Sequence, residues 1–297
     1  MPARLFLVFL FLASCVIAAD YKSEIGITYS EVDGLELKLN AFVPESDSPT
    51  PAIVHIHGGW WTGGGPSKSP KSGQFSAFRS QNVAIFSIQY RLGKKGGFPE
   101  NIRDCRNAVR FVRKHAARFN IDPDRIGAMG GSAGGHLTMM VTLAPADFDD
   151  GGPTAGLEGI SPAVCMGFPW IGPTDMVRQW HESVEGARNN AKPYHRVLFH
   201  GVIPEDEAGR AEYRRMSPMT YARENAPPLL ICDGEKDPIV PDTPGKNLHE
   251  ALEAAGAYSV YWLTKNGGHG YPGGAGFKDI LDAFVKRTLI DAKSSSK

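Results

Sequence analysis

The sequence predicts an α/β fold: a mostly parallel central sheet with an antiparallel N-terminal hairpin and helices on both faces. Three observations carry that reading. Short apolar runs of strand length, such as "PAIVHI" and "NVAIFSI", recur along the chain. Amphipathic segments separate them, and strands alternating with helices specify a parallel sheet covered on both sides. The composition, 42% hydrophobic and 22% charged over 297 residues, suits one large domain with a full core.

Taken in order, "EIGITYS" and "LELKLNAFVP" pair as a hairpin about Asp33-Gly34, a turn-forming dipeptide. "PAIVHIHGG" and "NVAIFSIQYR" are buried parallel strands, with a short helix between them over Ser72 to Gln81. From Asn101 to Phe119 the apolar residues Ile102, Cys105, Val109, Val112, Ala116 and Phe119 fall on one helical face. Then follow strand "RIGAMG", a helix from Ser132 to Leu143, and strand "AVCMGFPW". After a polar stretch come strand "PPLLICDG", a helix from Pro244 to Ala255, strand "YSVYWLT" and a last helix from Lys278. The polar stretch, about 176–215, is too long for a simple connection and reads as a lid or insertion in a single domain, residues 20–297.

Residues 1–19 stand apart from the fold. Arg4 precedes an unbroken apolar run from Leu5 to Leu12, then small residues, which is the pattern of a signal peptide cut after Ala18 or Ala19. The run is too short for a membrane-spanning helix. "LASC" also resembles a lipoprotein box, which offers lipid anchoring at Cys15 as the alternative route of processing. Either reading places the protein outside the cytoplasm, secreted or periplasmic. Thirty-two basic residues balance thirty-two acidic ones, which argues against a nucleic-acid or anionic-membrane surface. Without Cys15, three widely spaced cysteines remain, neither a disulfide framework nor a metal site; Cys165 and Cys232 read as small buried hydrophobes.

The chemistry centres on "AMGGSAGGH". Gly130-x-Ser132-x-Gly134 lies where a strand must reverse into a helix, so its glycines read as steric clearance around an exposed serine. A phosphate loop would need Lys-Ser or Lys-Thr after its last glycine, where His136-Leu137 stand. Serine is a weak nucleophile until a histidine takes its proton and a carboxylate orients that histidine. On such an elbow the acid and the histidine follow the serine in that order. His269, in the glycine-rich loop "KNGGHGYP", is then the base, and His249 within "NLHEALEAAG" reads as a helix-surface residue. Asp237 in "CDGEKDPIVP" is the acid, Asp175 in "GPTDM" its rival, and Asp233 a turn residue. "HIHGGWW" supplies an oxyanion loop: N–H donors are expected at Gly59 and Trp60, with Ala133 after the serine, and His57 bracing the loop. His55-x-His57 lacks the acidic or cysteine companions of a metal site. Gly268-x-Gly270-x-x-Gly273 matches a dinucleotide fingerprint only in form, since it contains Pro272.

In this order, "HGGWW", "YRL", "FPENIRDCRNAVRFVR", "GGSAGGHL", "GPTDM", "PPLLICDGEKDPIVP" and "GGHGY" resemble the α/β-hydrolase superfamily. More narrowly the chain resembles its secreted esterase/lipase branch, related to hormone-sensitive lipase and to bacterial carbohydrate and feruloyl esterases. The resemblance covers about Tyr29 to Ile290. It implies the α/β-hydrolase fold, with Ser132 as nucleophile, Asp237 as acid and His269 as base. It further implies a secreted carboxylic-ester hydrolase acting without cofactor or metal on a small-molecule or polysaccharide ester, with short acyl or feruloyl groups expected. Serine peptidases of the prolyl-oligopeptidase kind and arylformamidase-like amide hydrolases are the alternatives. One departure matters: Trp60 stands where the lipase-like branch has a third glycine, and Trp60 and Trp61 are expected to line the substrate site.

Overall fold

A computed structural model describes residues 20–145, 148, 152–185 and 196–292; the predicted leader and Cys15 lie outside these. Strands β1 (Tyr21–Val32) and β2 (Leu35–Pro44) form the expected hairpin, turning at Asp33 and Gly34, both with positive φ. After them come β3 (Thr50–Ile56), β4 (Ala84–Ile88), β5 (Ile121–Gly131), β6 (Gly167–Trp170), β7 (Leu229–Gly234) and β8 (Ser259–Thr264). They make one sheet ordered β1-β2-β4-β3-β5-β6-β7-β8. β2 runs antiparallel to both neighbours, and every pairing from β4 to β8 is parallel.

The helices are α1 (Ser76–Arg79), α2 (Glu100–Lys114), α3 (Ala133–Leu143), α4 (Met176–Glu185), α5 (Glu207–Arg215), α6 (Asp242–Ala254) and α7 (Phe277–Val285). Both faces of the sheet are covered, because successive side chains of a strand point to opposite sides. On β3, Val54 joins a cluster with Ile102 and Val109 of α2 and Leu137 of α3, while Ile53 faces Phe75, Phe78 and Phe284 across the sheet. On β7, Leu230 takes the second face, and Leu229 and Ile231 pack with Leu248 and Leu252 of α6. Each such fully buried side chain contributes about 1.5–3 kcal/mol relative to exposure. That two-sided burial is why these strands read as continuous apolar runs.

The expected helix 101–119 stops at Lys114. Ala116 and Phe119 stay buried on the predicted face, but the chain turns there, and Asn120 (φ 47) reverses it into β5. Periodicity detects the buried face and not the turn, since both keep the same residues inside.

At the head of α2, Asp104 is fully buried and accepts three hydrogen bonds from Arg91, from its backbone N (2.9 Å), Nε (2.9 Å) and Nη2 (3.0 Å). This pair ties α2 to the loop after β4. The described part of 176–215 packs into the body. Trp180 of α4 meets Tyr213 of α5 edge-on, and the Phe199 ring stacks on Tyr213 at 3.7 Å. Residues 186–195 of the predicted lid lie outside the described residues.

Candidate active site

Ser132 stands between β5 and α3 with φ 56 and ψ −124, a conformation that is costly for a residue with a side chain. Its surroundings impose that conformation. Ser132 N donates to Trp170 O (3.0 Å), and its own carbonyl receives His136 N (3.0 Å). A Cβ on Gly130 would lie 2.5 Å from Ile56 O, and one on Gly134 only 2.1 Å from the same atom. The glycines are therefore clearance for strand β3 against the elbow.

His269 is carried by the loop after β8. Its Nε2 lies 2.9 Å from Ser132 Oγ, and its Nδ1 lies 2.7 Å from Asp237 Oδ2. A carboxylate accepts, so Nδ1 bears the proton and Nε2 is free to accept from the serine hydroxyl. The Asp237 side chain is fully buried, and its other oxygen accepts from Ile239 N (2.7 Å) and Val240 N (3.0 Å). Three residues spread over 137 positions thus form one hydrogen-bonded line. The rival residues are engaged elsewhere. Asp175 Oδ1 accepts from Arg178 N (3.0 Å) at the start of α4, as a helix cap does. His249 faces Ser259 Oγ (2.7 Å) from α6. Asp233 does not serve a turn: it is 3% exposed under α6, where Gly245 leaves room for it, and burial pushes its carboxyl well above the usual range.

The loop after β3 passes directly beside the serine, since a Cβ on Gly58 would meet Gly131 O at 2.8 Å and Ser132 Cβ at 3.4 Å. Gly59, Trp60 and Trp61 follow with φ of 124, 57 and 58. Two adjacent tryptophans in the left-handed region cost about 1–3 kcal/mol each, so the loop must be held from outside. It is. Gly59 O receives Thr62 N (3.1 Å) and Gly63 N (2.9 Å), and Trp61 O receives Gly93 N (2.9 Å). Tyr90 Oη donates to His57 O (3.0 Å), and His57 Nδ1 donates to Gly58 O (2.7 Å). Burial lowers the His57 pKa, which keeps it a neutral brace. Opposite this loop, Ala133 opens α3, so its N–H has no intrahelical acceptor and sits at the positive end of the helix dipole.

Ser132 and His269 line an open cavity of about 410 Å³. Neither tryptophan of "HGGWW" does. Trp61 is 4% exposed and meets His136 of α3 edge-on at 5.4 Å, so its ring is core, contrary to the expectation of a substrate contact. Trp60 is half-buried and also absent from the cavity wall. Trp170, at the end of β6, and Tyr271, two residues past His269, supply the aromatic wall instead. The sequence held one signal for each: an aromatic at the carboxyl end of a parallel strand, and an aromatic on the histidine loop.

His136 joins three parts of this site. It lies one turn after Ser132, its Nε2–H donates to Met216 O (2.8 Å) beyond α5, and its ring supports Trp61. Burial lowers its pKa to about 4, so it is neutral. His55 is neutral for the same reason, at about 3, with burial the larger cause and nearby His57 the smaller. Both His55 ring nitrogens are taken, by Ser87 Oγ (2.8 Å) and Gln74 Nε2 (3.2 Å).

The BD-FAE family model matches residues 39–252, which include Ser132 and Asp237 and stop before His269. The chain belongs to the BD-FAE family. This is an α/β-hydrolase family of esterases. Among curated relatives, esterase LipQ of Mycobacterium tuberculosis is 30% identical over 226 residues, 74% of this chain and 49% of its own length. Carboxylesterase NlhH of the same organism is 35% identical over 219 residues, 69% of this chain and 61% of its own. The chain spans about half to three fifths of the length of these two relatives. Among solved structures, a truncated carbohydrate esterase from gut microbiota superimposes with a TM-score of 0.77 at 27% identity, covering 91% of this chain and 98% of that one. The butyrate-bound esterase Est2 of Thermogutta terrifontis shares the fold, with a TM-score of 0.69 at 24% identity over 94% of this chain and 96% of that one.

Proposed function

We propose that this chain is an exported serine carboxylic-ester hydrolase acting on short acyl or feruloyl esters of carbohydrates. The observation that carries the chemistry is the line from Ser132 Oγ to His269 Nε2 (2.9 Å) and from His269 Nδ1 to Asp237 Oδ2 (2.7 Å). Ser132 Oγ attacks the ester carbonyl carbon while its proton passes to His269 Nε2, and buried Asp237 stabilises the imidazolium. The backbone N–H groups of Gly59, Trp60 and Ala133 receive the oxyanion, each donor being worth about 2.7–4 kcal/mol. His269 then protonates the leaving alkoxide as its bond to carbon breaks. Water then attacks the acyl carbon as His269 takes its proton, and the bond to Ser132 Oγ breaks as His269 returns that proton to it, releasing the acid and free Ser132. The likeness to a carbohydrate esterase over nearly the whole of both chains supports the sugar side of the reading. Export rests on the leader pattern of residues 1–19.

Ser132→Ala is expected to lower kcat/KM for ethyl acetate and for acetylated xylan by about 10⁴-fold or more. An unchanged rate would overturn the mechanism. Faster turnover of peptide or formyl-amide substrates than of any ester would reassign the enzyme to amide chemistry. The mass of the mature protein tests export: an N-terminus at Ala19 or Asp20, or a lipidated Cys15, supports it, and retention of Met1 overturns it.

A further inference from the structure

We propose that Tyr271 and Gln74 form the subsite for a sugar ring on the alcohol side of the scissile bond, with Tyr271 as a fixed stacking platform and the Gln74 amide as a hydroxyl partner. The proposal rests on reading Ser132 as the nucleophile of a carbohydrate esterase.

The direction of the alcohol follows from the proton it needs. His269 Nε2 must deliver that proton to the leaving oxygen, so the alcohol lies over the His269 loop. Tyr271 belongs to that loop and lines the same cavity as Ser132. It is 40% exposed, one of few large apolar side chains so open among the described residues. An exposed ring ordinarily swings. This one is braced edge-on by Trp170 (5.3 Å), Phe277 (6.1 Å) and Phe168 (6.2 Å). A rigid apolar face presented to water beside a reactive serine suits a ligand with an apolar face and a polar rim. A pyranose is such a ligand: its C–H faces stack, and its hydroxyls ring the edge.

The polar partner is placed beside the platform. Tyr271 Oη donates to the Gln74 backbone oxygen at 3.5 Å, so the two residues adjoin. The Gln74 side chain is not free to turn, because Nε2 donates to His55 Nε2 (3.2 Å), and His55 Nδ1 is held by Ser87 Oγ (2.8 Å). Ser87 Oγ also receives Ser67 N (2.8 Å), which pins the loop carrying the rest of this wall. One amide hydrogen is thereby committed. The other, and the amide oxygen, remain for a ligand in the cavity that Gln74 lines. His55 has no chemical part in this arrangement; it orients the amide.

The test compares wild type, Tyr271→Ala, Tyr271→Phe and Gln74→Ala on acetylated xylo-oligosaccharides, ethyl acetate and methyl ferulate. For Tyr271→Ala, the ratio of kcat/KM for the oligosaccharide to that for ethyl acetate should fall about tenfold, through KM, the size of one stacking contact. Tyr271→Phe should stay within about threefold of wild type, and Gln74→Ala should raise oligosaccharide KM by about fivefold. Deacetylated xylo-oligosaccharide should inhibit wild-type hydrolysis of ethyl acetate competitively, with Ki about tenfold weaker in Tyr271→Ala. A parallel loss of kcat on all substrates would overturn the subsite and make Tyr271 a brace of the His269 loop. A loss confined to methyl ferulate would overturn it by placing the platform on the acyl side. Oligosaccharide KM unchanged in both Tyr271→Ala and Gln74→Ala would also defeat the proposal, while leaving the carbohydrate-esterase reading intact. Wild type that cleaves ethyl acetate yet neither cleaves nor binds the oligosaccharide would overturn that reading itself.

Discussion

A methyl group added at Gly134 would lie 2.1 Å from Ile56 O and 2.7 Å from His57 O. Both obstacles are backbone atoms of β3 and the loop after it, so neither can rotate away. Gly134→Ala is therefore expected to destabilise the protein by at least about 3 kcal/mol, the upper range for overpacking, and to displace Ser132. Urea unfolding and esterase assays measure the two effects together. Gly73→Ala is the control: nothing lies within 4 Å of an added Cβ there, and the change should stay within about 0.5 kcal/mol. Wild-type stability and activity in Gly134→Ala would show that strand and helix can separate at the elbow without harm.

Helix α2 contributes no side chain to the cavity lined by Ser132 and His269, yet it fixes one side of the loop after β3. Its Asp104 holds Arg91 through three hydrogen bonds, and Arg91 follows Tyr90, whose hydroxyl holds His57 O. Removing the carboxylate would leave a nearly buried guanidinium with only Glu100 O (3.4 Å) and the distant, exposed Asp33 carboxylate (4.0 Å). Asp104→Ala should cost about 3–5 kcal/mol in urea unfolding, the range for a broken buried pair. Its kcat should fall as well, because the loop loses an anchor while the Ser132–His269–Asp237 line is untouched. A loss below about 1 kcal/mol would mean the pair behaves as a surface ion pair does.

Across the whole molecule, buried histidines couple stability to pH, with His55 and His136 the most strongly shifted. Their pKa values are lowered from 6.5 to about 3 at His55 and about 4 at His136, chiefly by burial. Between about pH 6.5 and 4 the unfolded chain takes up protons at these positions and the folded chain does not. Stability is thus fully present above the unfolded pKa and falls with pH by up to about 1.4 kcal/mol per unit per histidine. At pH 5 each should cost about 2 kcal/mol relative to pH 7.5. Urea unfolding at the two pH values measures the loss, to which His57 adds and the raised Asp233 carboxyl is opposed, and His136→Gln should lessen it by about 2 kcal/mol. Equal slopes in wild type and variant would show that His136 is protonated in the folded protein.

The sequence by itself determined the layered architecture, the elbow and the order of its partners. Those features are local or additive: two-sided apolar runs, a helical stripe from Ile102, and glycines where only hydrogen fits. Chain order narrowed the histidines to His249 and His269. Local setting then favoured the loop residue His269 over His249 in a helix and Asp237 past its strand end over Asp175, and the structure brings Ser132, His269 and Asp237 into contact. Where α2 stops was not legible, because a buried turn and a buried helix end keep the same residues inside. Nor was the cavity wall. Trp60 and Trp61 read as substrate contacts from their place in "HGGWW", but Trp61 is buried edge-on against the His136 ring. Trp170 and Tyr271, 101 positions apart in the chain, meet at 5.3 Å only once β6 and the His269 loop share a sheet edge. Residue type and spacing fix what a segment can do chemically; which way a side chain faces depends on backbone dihedrals and distant partners, and only the folded chain sets those.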